Sequence, residues 1–187
     1  MNSKDILHAV VRNVWDHREH VCVPATTGVV GYEADLLVLH KTGWMEEVEI
    51  KTSRPDFLRE FKAQSKITKH RVLKHGRPPV HQSVWHLWCN GRGGEWVNCQ
   101  PQPVRRFWYA IPEELLVKIE NDVPEYAGIL VVSKDRRTSV VKHRPAQNLP
   151  SSRKVNDRER EALLRSAYFK AWDLILRGKS SMGITKR

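Results

Sequence analysis

Acidic and basic side chains alternate along a short β-branched stretch, EEVEIKT, which spans residues 46–52. Because successive side chains of a strand point to opposite faces, Glu47, Glu49 and Lys51 share one face. In the preceding stretch, YEADLLVLH, Asp35 shares a face with two leucines. The sequence KTG separates the two stretches and is typical of a hairpin turn, so Asp35 and Glu49 are expected to approach each other across the sheet.

This arrangement predicts a particular chemistry. Two carboxylates held close together repel each other unless a cation lies between them. Oxygen ligands with open water positions suit Mg²⁺ or Mn²⁺. A lysine two residues beyond the second acid can hold a water, help to deprotonate it, or stabilise a charged phosphate oxygen. The pattern therefore predicts metal-dependent phosphodiester hydrolysis. The alternative is a ladder of salt bridges on an exposed sheet face, with Lys51 as partner of either acid.

Hydrophobic periodicity predicts the elements that position these residues, in the order helix, strands, helix, strand, helix, strand, helix. The first helix is predicted from its N-cap Ser3 to His20, and a second from its N-cap Ser53 to about Lys74. The apolar stretch AGILVVSK is predicted as a central strand and TSVVKH as an edge strand. The last helix is predicted to start at Asn156. This order predicts an α/β (α+β) fold, with a mixed central sheet flanked by helices.

The helix predicted after the acidic strand carries basic residues at positions i, i+3, i+7 and i+10, which form one stripe on its surface. Such a stripe beside a two-acid site would attract phosphate groups. The alternative is a solvated amphipathic helix. The residues expected to bind nucleic-acid phosphates are Arg54, Arg59, Lys62, Lys66 and Lys69.

The charge distribution also indicates a polyanionic partner. The 187 residues, which fit one domain spanning 1–187, have a formal net charge of +11. Residues 1–50 contain four Lys/Arg and eight Asp/Glu, whereas residues 51–80 contain nine and two. An excess of this kind is typical of nucleic-acid binding, with a merely solvated basic surface as the alternative. A basic tail is expected at 178–187, after Gly178 ends the last helix.

Residues 75–104 break the pattern, because they are rich in Gly, Pro and Trp, and they are predicted to form an inserted hairpin. Trp88 could stack on a nucleic-acid base there, or pack the hairpin against the body of the protein. Zinc is not expected, because the possible ligands lack a paired C-x2-C spacing. Those ligands are His81, His86, Cys89 and Cys99.

The Asp35 strand, the Glu49-Ile50-Lys51 strand and the helix that follows resemble the PD-(D/E)XK nuclease superfamily, whose signature is an Asp and then acidic-x-Lys on the next strand. The stretches YEADLLVL, EVEIKTSRPDFLREFK, RRFWYAIPEEL and VPEYAGILVVSKD further resemble the MmcB-like bacterial DNA-repair proteins. The similarity covers most of the chain apart from roughly residues 71–104. It implies a restriction-endonuclease-like core and a metal-dependent deoxyribonuclease, most simply an endonuclease, in DNA repair or in phage or mobile-element DNA processing.

The resemblance also implies roles for individual residues. Asp35 and Glu49 would be metal ligands, with the Ile50 carbonyl as a third, and Lys51 would be the catalytic lysine. An acidic residue from the first helix often completes such a site, and Glu19 is the candidate here, with Asp16 behind it. The alternative function is a catalytically inactive module of the same fold that binds nucleic acid or another protein.

The remaining expectations concern the protein's setting. No run of about 18 apolar residues is present, so no membrane span is predicted. Three cysteines do not make a disulfide framework, which favours the reducing cytoplasm. Cleavage of both strands of a duplex needs two sites, which a homodimer would supply. The pattern leaves open whether the substrate is single-stranded, double-stranded or branched DNA, or RNA.

Overall fold

The computed structural model describes residues 1–16, 18–26, 29–77, 100–134 and 138–181. In this part of the chain, six strands form one sheet in chain order. The strands are β1 (His20–Thr26), β2 (Ala34–His40), β3 (Met45–Ile50), β4 (Val104–Pro112), β5 (Gly128–Ser133) and β6 (Ser139–Arg144). The α-helices are α1 (Ser3–Asn13), α2 (Arg54–Arg59), α3 (Gln64–His75), α4 (Glu113–Ile119) and α5 (Asp157–Ser181). Within these ranges no helix is long and apolar enough to cross a membrane.

The sheet is mixed. β1, β2 and β3 are antiparallel neighbours, β4 is parallel to both β3 and β5, and β6 is antiparallel to β5. Helices α2 and α3 lie in the connection from β3 to β4, and α4 lies in the connection from β4 to β5. Parallel neighbours require long crossovers of this kind. The predicted class is therefore confirmed: a mixed α/β sheet flanked by helices, consistent with a restriction-endonuclease-like fold.

Each face of the sheet has its own hydrophobic cluster. One face packs against α1, where Ile6 and Val10 contact the side of β2 and β3 that carries Val38 and Val48. The other face packs against the remaining α-helices, through residues that include Phe57, Leu73, Leu115 and Leu163. Burial of each such side chain contributes roughly 1.5–3 kcal/mol. The acidic side of β3 points into this second layer, so its charged groups lie among apolar residues.

Helix α1 is shorter than predicted, and its cap is Asn2 rather than Ser3. The side chain of Asn2 accepts a hydrogen bond from the Asp5 amide at 2.9 Å, and the Asp5 carboxylate accepts one from the Asn2 amide at 3.4 Å. This reciprocal capping box needs an acidic residue three positions after the cap, which Asp5 supplies for Asn2. The helix ends at Asn13 instead of continuing to His20.

The helix predicted from Ser53 to Lys74 is interrupted. Ser53 is the predicted N-cap and accepts a hydrogen bond from the Asp56 amide at 3.3 Å, but α2 ends at Arg59 and α3 begins only at Gln64. Ala63, before α3, has an extended backbone. The interruption lets Glu60 turn its carboxylate toward the sheet, where it is buried.

The C-terminal half shows two further differences. The strand β5 is buried as predicted but lies next to the edge rather than at the centre, and β6 is the predicted edge strand. Asn156 caps α5 as predicted, because its side chain accepts a hydrogen bond from the Glu159 amide at 2.9 Å. The helix does not end at Gly178 but continues to Ser181, so the predicted tail begins as helix. Residues 182–187 lie outside the described residues.

The predicted insertion of residues 75–104 overlaps the end of α3, because this helix still includes His75. Arg77 and Gln100 form an antiparallel bridge in which each amide donates to the other's carbonyl, at 2.8 and 2.6 Å. The chain therefore leaves the core and returns to it at neighbouring positions. Residues 78–99 lie outside the described residues, and so do the predictions for Trp88, for the inserted hairpin and for zinc.

Candidate active site

Asp35 and Glu49 lie beside each other on β2 and β3. The antiparallel register pairs Leu36 with Val48, so Asp35 and Glu49 form the next opposed positions. Asp35 Oδ2 accepts a hydrogen bond from the Ile50 amide at 2.7 Å, which ties the first acid to the backbone of the second strand. The structure thus brings the two carboxylates together as the strand pattern predicts.

The two acids open onto a cavity of about 440 Å³ between the sheet and the break that separates α2 from α3. Its lining from the sheet is Asp35, Glu49, Ile50 and Lys51, and its lining from the helical side includes Arg59, Glu60, Ser65 and Lys66. A larger cavity of about 850 Å³ lies beside α1 but is lined by none of the predicted catalytic residues. The chemistry-bearing residues therefore share one cleft.

Three ammonium groups surround Glu49. Glu49 Oε1 lies 2.9 Å from Lys51 Nζ and 2.6 Å from Lys66 Nζ, whereas Glu49 Oε2 lies 2.5 Å from Lys69 Nζ. Burial alone would raise the pKa of Glu49, but the ammonium groups, Lys69 first, outweigh burial and lower it. Glu49 is therefore ionised at neutral pH.

Lys51, the predicted catalytic lysine, is held between two carboxylates. Its Nζ lies 2.9 Å from Glu49 Oε1 and 2.7 Å from Glu60 Oε2, and its side chain is 5% exposed. Burial would lower the pKa of Lys51, but Glu49 and Glu60 outweigh burial and raise it. Lys51 is therefore a protonated hydrogen-bond donor and does not accept a proton at neutral pH. Of the roles considered from the sequence, orienting a water or stabilising an oxyanion fits this state.

The pKa of Asp35, unlike that of Glu49, is raised above its ordinary value. Burial raises its pKa, and the neighbouring Glu49 raises it further. The hydrogen bond from the Ile50 amide and the ammonium groups of Lys69 and Lys51 lower it, but by less. A cation between Asp35 and Glu49 would relieve this repulsion.

The position of Lys69 contradicts one prediction. It was expected to bind nucleic-acid phosphates, but its side chain is 1% exposed and its Nζ lies 2.7 Å from Glu47 Oε1 as well as 2.5 Å from Glu49 Oε2. Burial would lower its pKa, but Glu47 and Glu49 raise it well above the ordinary value. Glu47 is also buried, and Tyr32 donates a hydrogen bond to its Oε2 at 2.7 Å. Lys69 and Glu47 therefore fix Glu49 from inside the protein, where phosphate cannot reach.

Glu60 lines the cleft and His70 contacts Glu60, although the sequence pattern predicts neither as a site residue. Glu60 Oε2 binds Lys51, and Glu60 Oε1 lies 3.3 Å from His70 Nε2. The other nitrogen of His70 lies 2.5 Å from the hydroxyl of Tyr126. One signal was available: Glu60 is the single acidic residue between positions 57 and 77, a strongly basic stretch.

The basic stripe predicted on one helix does not form, because its members are divided between α2, the connecting segment and α3, and Lys69 is buried. Arg59 lines the cleft and is exposed, with Asp56 at 3.1 Å. Lys62 is exposed in the connecting segment. Arg54, also exposed, lies 3.9 Å from Asp122. Lys66 remains partly exposed, so these cations can meet a polyanion.

Glu19 is not part of the cleft, which corrects its prediction as a metal ligand. Its Oε1 lies 2.6 Å from Lys41 Nζ on the surface. The strand register explains this position: His20 pairs with His40 at the far end of β2, whereas Asp35 lies at the opposite end. Asp16 does not line the cleft either, and its side chain accepts a hydrogen bond from the Arg18 amide.

The donor set of the cleft fits a hard divalent cation. The described residues contain no group of three or more His, Cys, Asp or Glu side chains that could hold a metal ion. Mg²⁺ in proteins is commonly bound by one or two carboxylates, with waters and substrate phosphates completing its shell. Asp35 and Glu49 supply the two carboxylates. Burial and then the charge of Glu49 raise the pKa of Asp35, and a bound cation would offset both effects. Glu49 Oε1 already has two ammonium groups within 2.9 Å, so an ion bound to this oxygen would have to displace one of them.

Comparison with known proteins shows the fold and no more. No family model matches the chain, and no curated protein is similar to it. One similar solved structure is the SPO1766 protein of unknown function from Silicibacter pomeroyi, at 17% sequence identity and a TM-score of 0.56. The similarity covers 97% of this chain and 94% of the other.

Proposed function

We propose that the protein is a Mg²⁺-dependent or Mn²⁺-dependent nuclease of the PD-(D/E)XK type that hydrolyses DNA phosphodiester bonds, most simply as an endonuclease. One observation carries the proposal: Asp35 lies opposite Glu49, Lys51 follows on the same face of β3, and all three line one cleft. A ladder of exposed salt bridges would have its acids on the surface, whereas Glu49 and Lys51 are buried.

Asp35 and Glu49, with the Ile50 carbonyl, would hold the divalent ion, which when bound neutralises charge on the phosphate and lowers the pKa of a water. Lys51 donates hydrogen bonds to the attacking water or to a phosphate oxygen, since Glu49 and Glu60 keep it protonated. Glu60 orients Lys51 through the 2.7 Å ion pair.

The charge of the protein supports a nucleic acid as the substrate. The chain carries a net charge of +11, and Arg59 and Lys66 line the cleft itself. Exposed Arg54 and Lys62 extend the cationic surface beyond it. Phosphate contacts of this kind supply most of the sequence-independent affinity for DNA. DNA repair or the processing of phage or mobile-element DNA, in the cytoplasm, is the proposed setting, and a homodimer would bring two sites to one duplex.

A cleavage assay tests the proposal. Circular single-stranded and supercoiled double-stranded DNA are incubated with the purified protein in Mg²⁺, Mn²⁺ or EDTA. Nicking that needs the metal is expected from the wild type, and none from Asp35→Asn or Lys51→Met. Glu19→Gln is the matched control, because this acid lies on the surface away from the cleft. Thermal unfolding verifies that each variant is folded, and wild-type cleavage by folded Asp35→Asn would contradict the proposal.

The ion pairs around Glu49 also favour a second function. Three ammonium groups neutralise Glu49, so this carboxylate could remain buried in a fold that has lost its chemistry. A non-catalytic module would bind DNA with an affinity that falls steeply with salt and does not respond to EDTA. The cleavage assay, repeated as a binding assay on the same DNA, separates the two functions.

A further inference from the structure

The three lysines on Glu49 differ in how firmly they are held. The side chains of Lys51 and Lys69 are 5% and 1% exposed, whereas that of Lys66 is 31% exposed. Lys51 and Lys69 each have a second carboxylate within 2.7 Å, Glu60 and Glu47 respectively. The second acid of Lys66 is Glu60, at 3.6 Å. Lys66 is thus the one of the three that can leave Glu49 without leaving a buried charge unpaired.

We propose that Lys66 is a displaceable counter-ion of the candidate metal site: its ammonium group neutralises Glu49 Oε1 while no metal is bound, and it moves to a phosphate group of the nucleic acid when a divalent ion takes its place. This inference rests on the proposed function, since it requires a metal ion at Asp35 and Glu49. It adds a coupling between metal binding and substrate binding at that site.

Geometry gives the reason for displacement. Lys66 Nζ lies 2.6 Å from Glu49 Oε1, on the side of Glu49 that opens to the cleft, so a cation bound to this oxygen would meet the ammonium group at close range. Two cations so close repel each other strongly in a partly buried site. The buried Lys69 holds the other oxygen, Oε2, and is fixed by Glu47. The ion therefore competes with Lys66 for Oε1.

The position of Lys66 in α3 favours movement of its ammonium group away from Glu49. Lys66 lies in the first turn of α3, which has no acidic residue there, and a cation is disfavoured at this end of a helix. Its flexible side chain lines the cleft together with Arg59. A DNA phosphate in the cleft would give the released ammonium group a new partner. Because coupling between two binding sites is reciprocal, DNA should also strengthen metal binding.

The test measures Mn²⁺ binding by the electron paramagnetic resonance signal of the free ion, with the full chain at neutral pH. Lys66→Met is expected to bind Mn²⁺ about fivefold more tightly than the wild type, the equivalent of losing one competing ion pair. Lys74→Met, which removes an exposed lysine of the same helix, should match the wild type. A DNA oligonucleotide with non-hydrolysable phosphorothioate linkages should tighten Mn²⁺ binding by the wild type and by Lys74→Met, but not by Lys66→Met.

The outcomes separate this proposal from the nuclease proposal. Equal Mn²⁺ affinity in the wild type and Lys66→Met, or weaker binding by Lys66→Met, overturns the counter-ion role. If Asp35→Asn then still abolishes Mn²⁺ binding, the metal site stands. Absence of Mn²⁺ binding from the wild type and from Lys66→Met alike overturns both proposals. Binding by Lys66→Met alone supports the counter-ion role in its strongest form.

Discussion

Lys69 Nζ lies 2.5 Å from Glu49 Oε2 in the interior of the protein. Lys69 therefore supports the candidate site from inside instead of forming part of the cationic surface. The ion pair continues to Glu47, which in turn accepts a hydrogen bond from Tyr32. Each charge in this network is neutralised by a neighbour in the same layer. Loss of one member therefore leaves others buried and unpaired.

Lys69→Met is expected to destabilise the fold by about 3–5 kcal/mol, because it leaves Glu47 and Glu49 buried with too little positive charge. The free energy of unfolding, from urea titration at neutral pH, measures this. Lys74→Met, on the exposed side of the same helix, should stay within about 0.5 kcal/mol of the wild type. A loss of less than about 1 kcal/mol for Lys69→Met would contradict this supporting role.

Asp35→Asn should have the opposite effect on stability in the absence of metal. The raised pKa of Asp35 shows that its charge is disfavoured in the fold, first by burial and then by Glu49. An amide oxygen can still accept the hydrogen bond from the Ile50 amide. We expect no loss of stability and a gain of up to about 1 kcal/mol, together with loss of Mn²⁺ binding. Destabilisation by more than this amount would mean that Asp35 supports the fold.

Glu60 should make stability depend on pH in the acid range. Burial would raise the pKa of Glu60, but the nearby His70 and the ammonium groups of Lys69 and Lys51 hold it well below the ordinary value of 4.5. The unfolded chain therefore takes up this proton more readily than the folded chain, so the stabilisation is present above about pH 4.5 and is lost as the pH falls below it.

The Glu60→Gln variant isolates this contribution. It should be less stable than the wild type at neutral pH, because Lys51 loses a carboxylate partner. Its free energy of unfolding should fall less steeply between about pH 5 and about pH 3. Urea titrations at a series of pH values give both curves, and parallel curves would assign the acid sensitivity to other groups.

Glu19→Gln should change neither cleavage nor Mn²⁺ binding, because this acid pairs with Lys41 at the far end of β2 from Asp35. An exposed ion pair contributes at most about 1 kcal/mol, so the melting temperature should change little. The measurement is the cleavage assay with thermal unfolding alongside. A loss of activity comparable to that of Asp35→Asn would show that Glu19 contributes to the site.

The parts of the fold that sequence could predict depend on local rules. Alternation along β3 and the short turn before it are sufficient to place Glu47, Glu49 and Lys51 on one face and Asp35 opposite. The cap of α5 at Asn156 follows from side-chain chemistry within a few residues.

The remainder depends on tertiary contacts that no spacing encodes. The sequence pattern of a helical lysine is the same whether its side chain meets solvent or a buried acid, so the pattern predicts phosphate binding for Lys69. The break between α2 and α3 contains no proline or glycine from which it could be predicted. This break places Glu60 against Lys51. For Glu19, the strand register alone decides which end of the sheet it reaches.

The bridge between Arg77 and Gln100 has a consequence for how this fold can vary. Because the two residues are hydrogen-bonded neighbours, their bridge holds together the two ends of the segment between them. The entropy of closing a loop grows slowly with its length, so segments of very different size are compatible with the same sheet and the same cleft. Positions 77 and 100 therefore mark the two ends between which insertions and deletions should leave the described sheet unchanged.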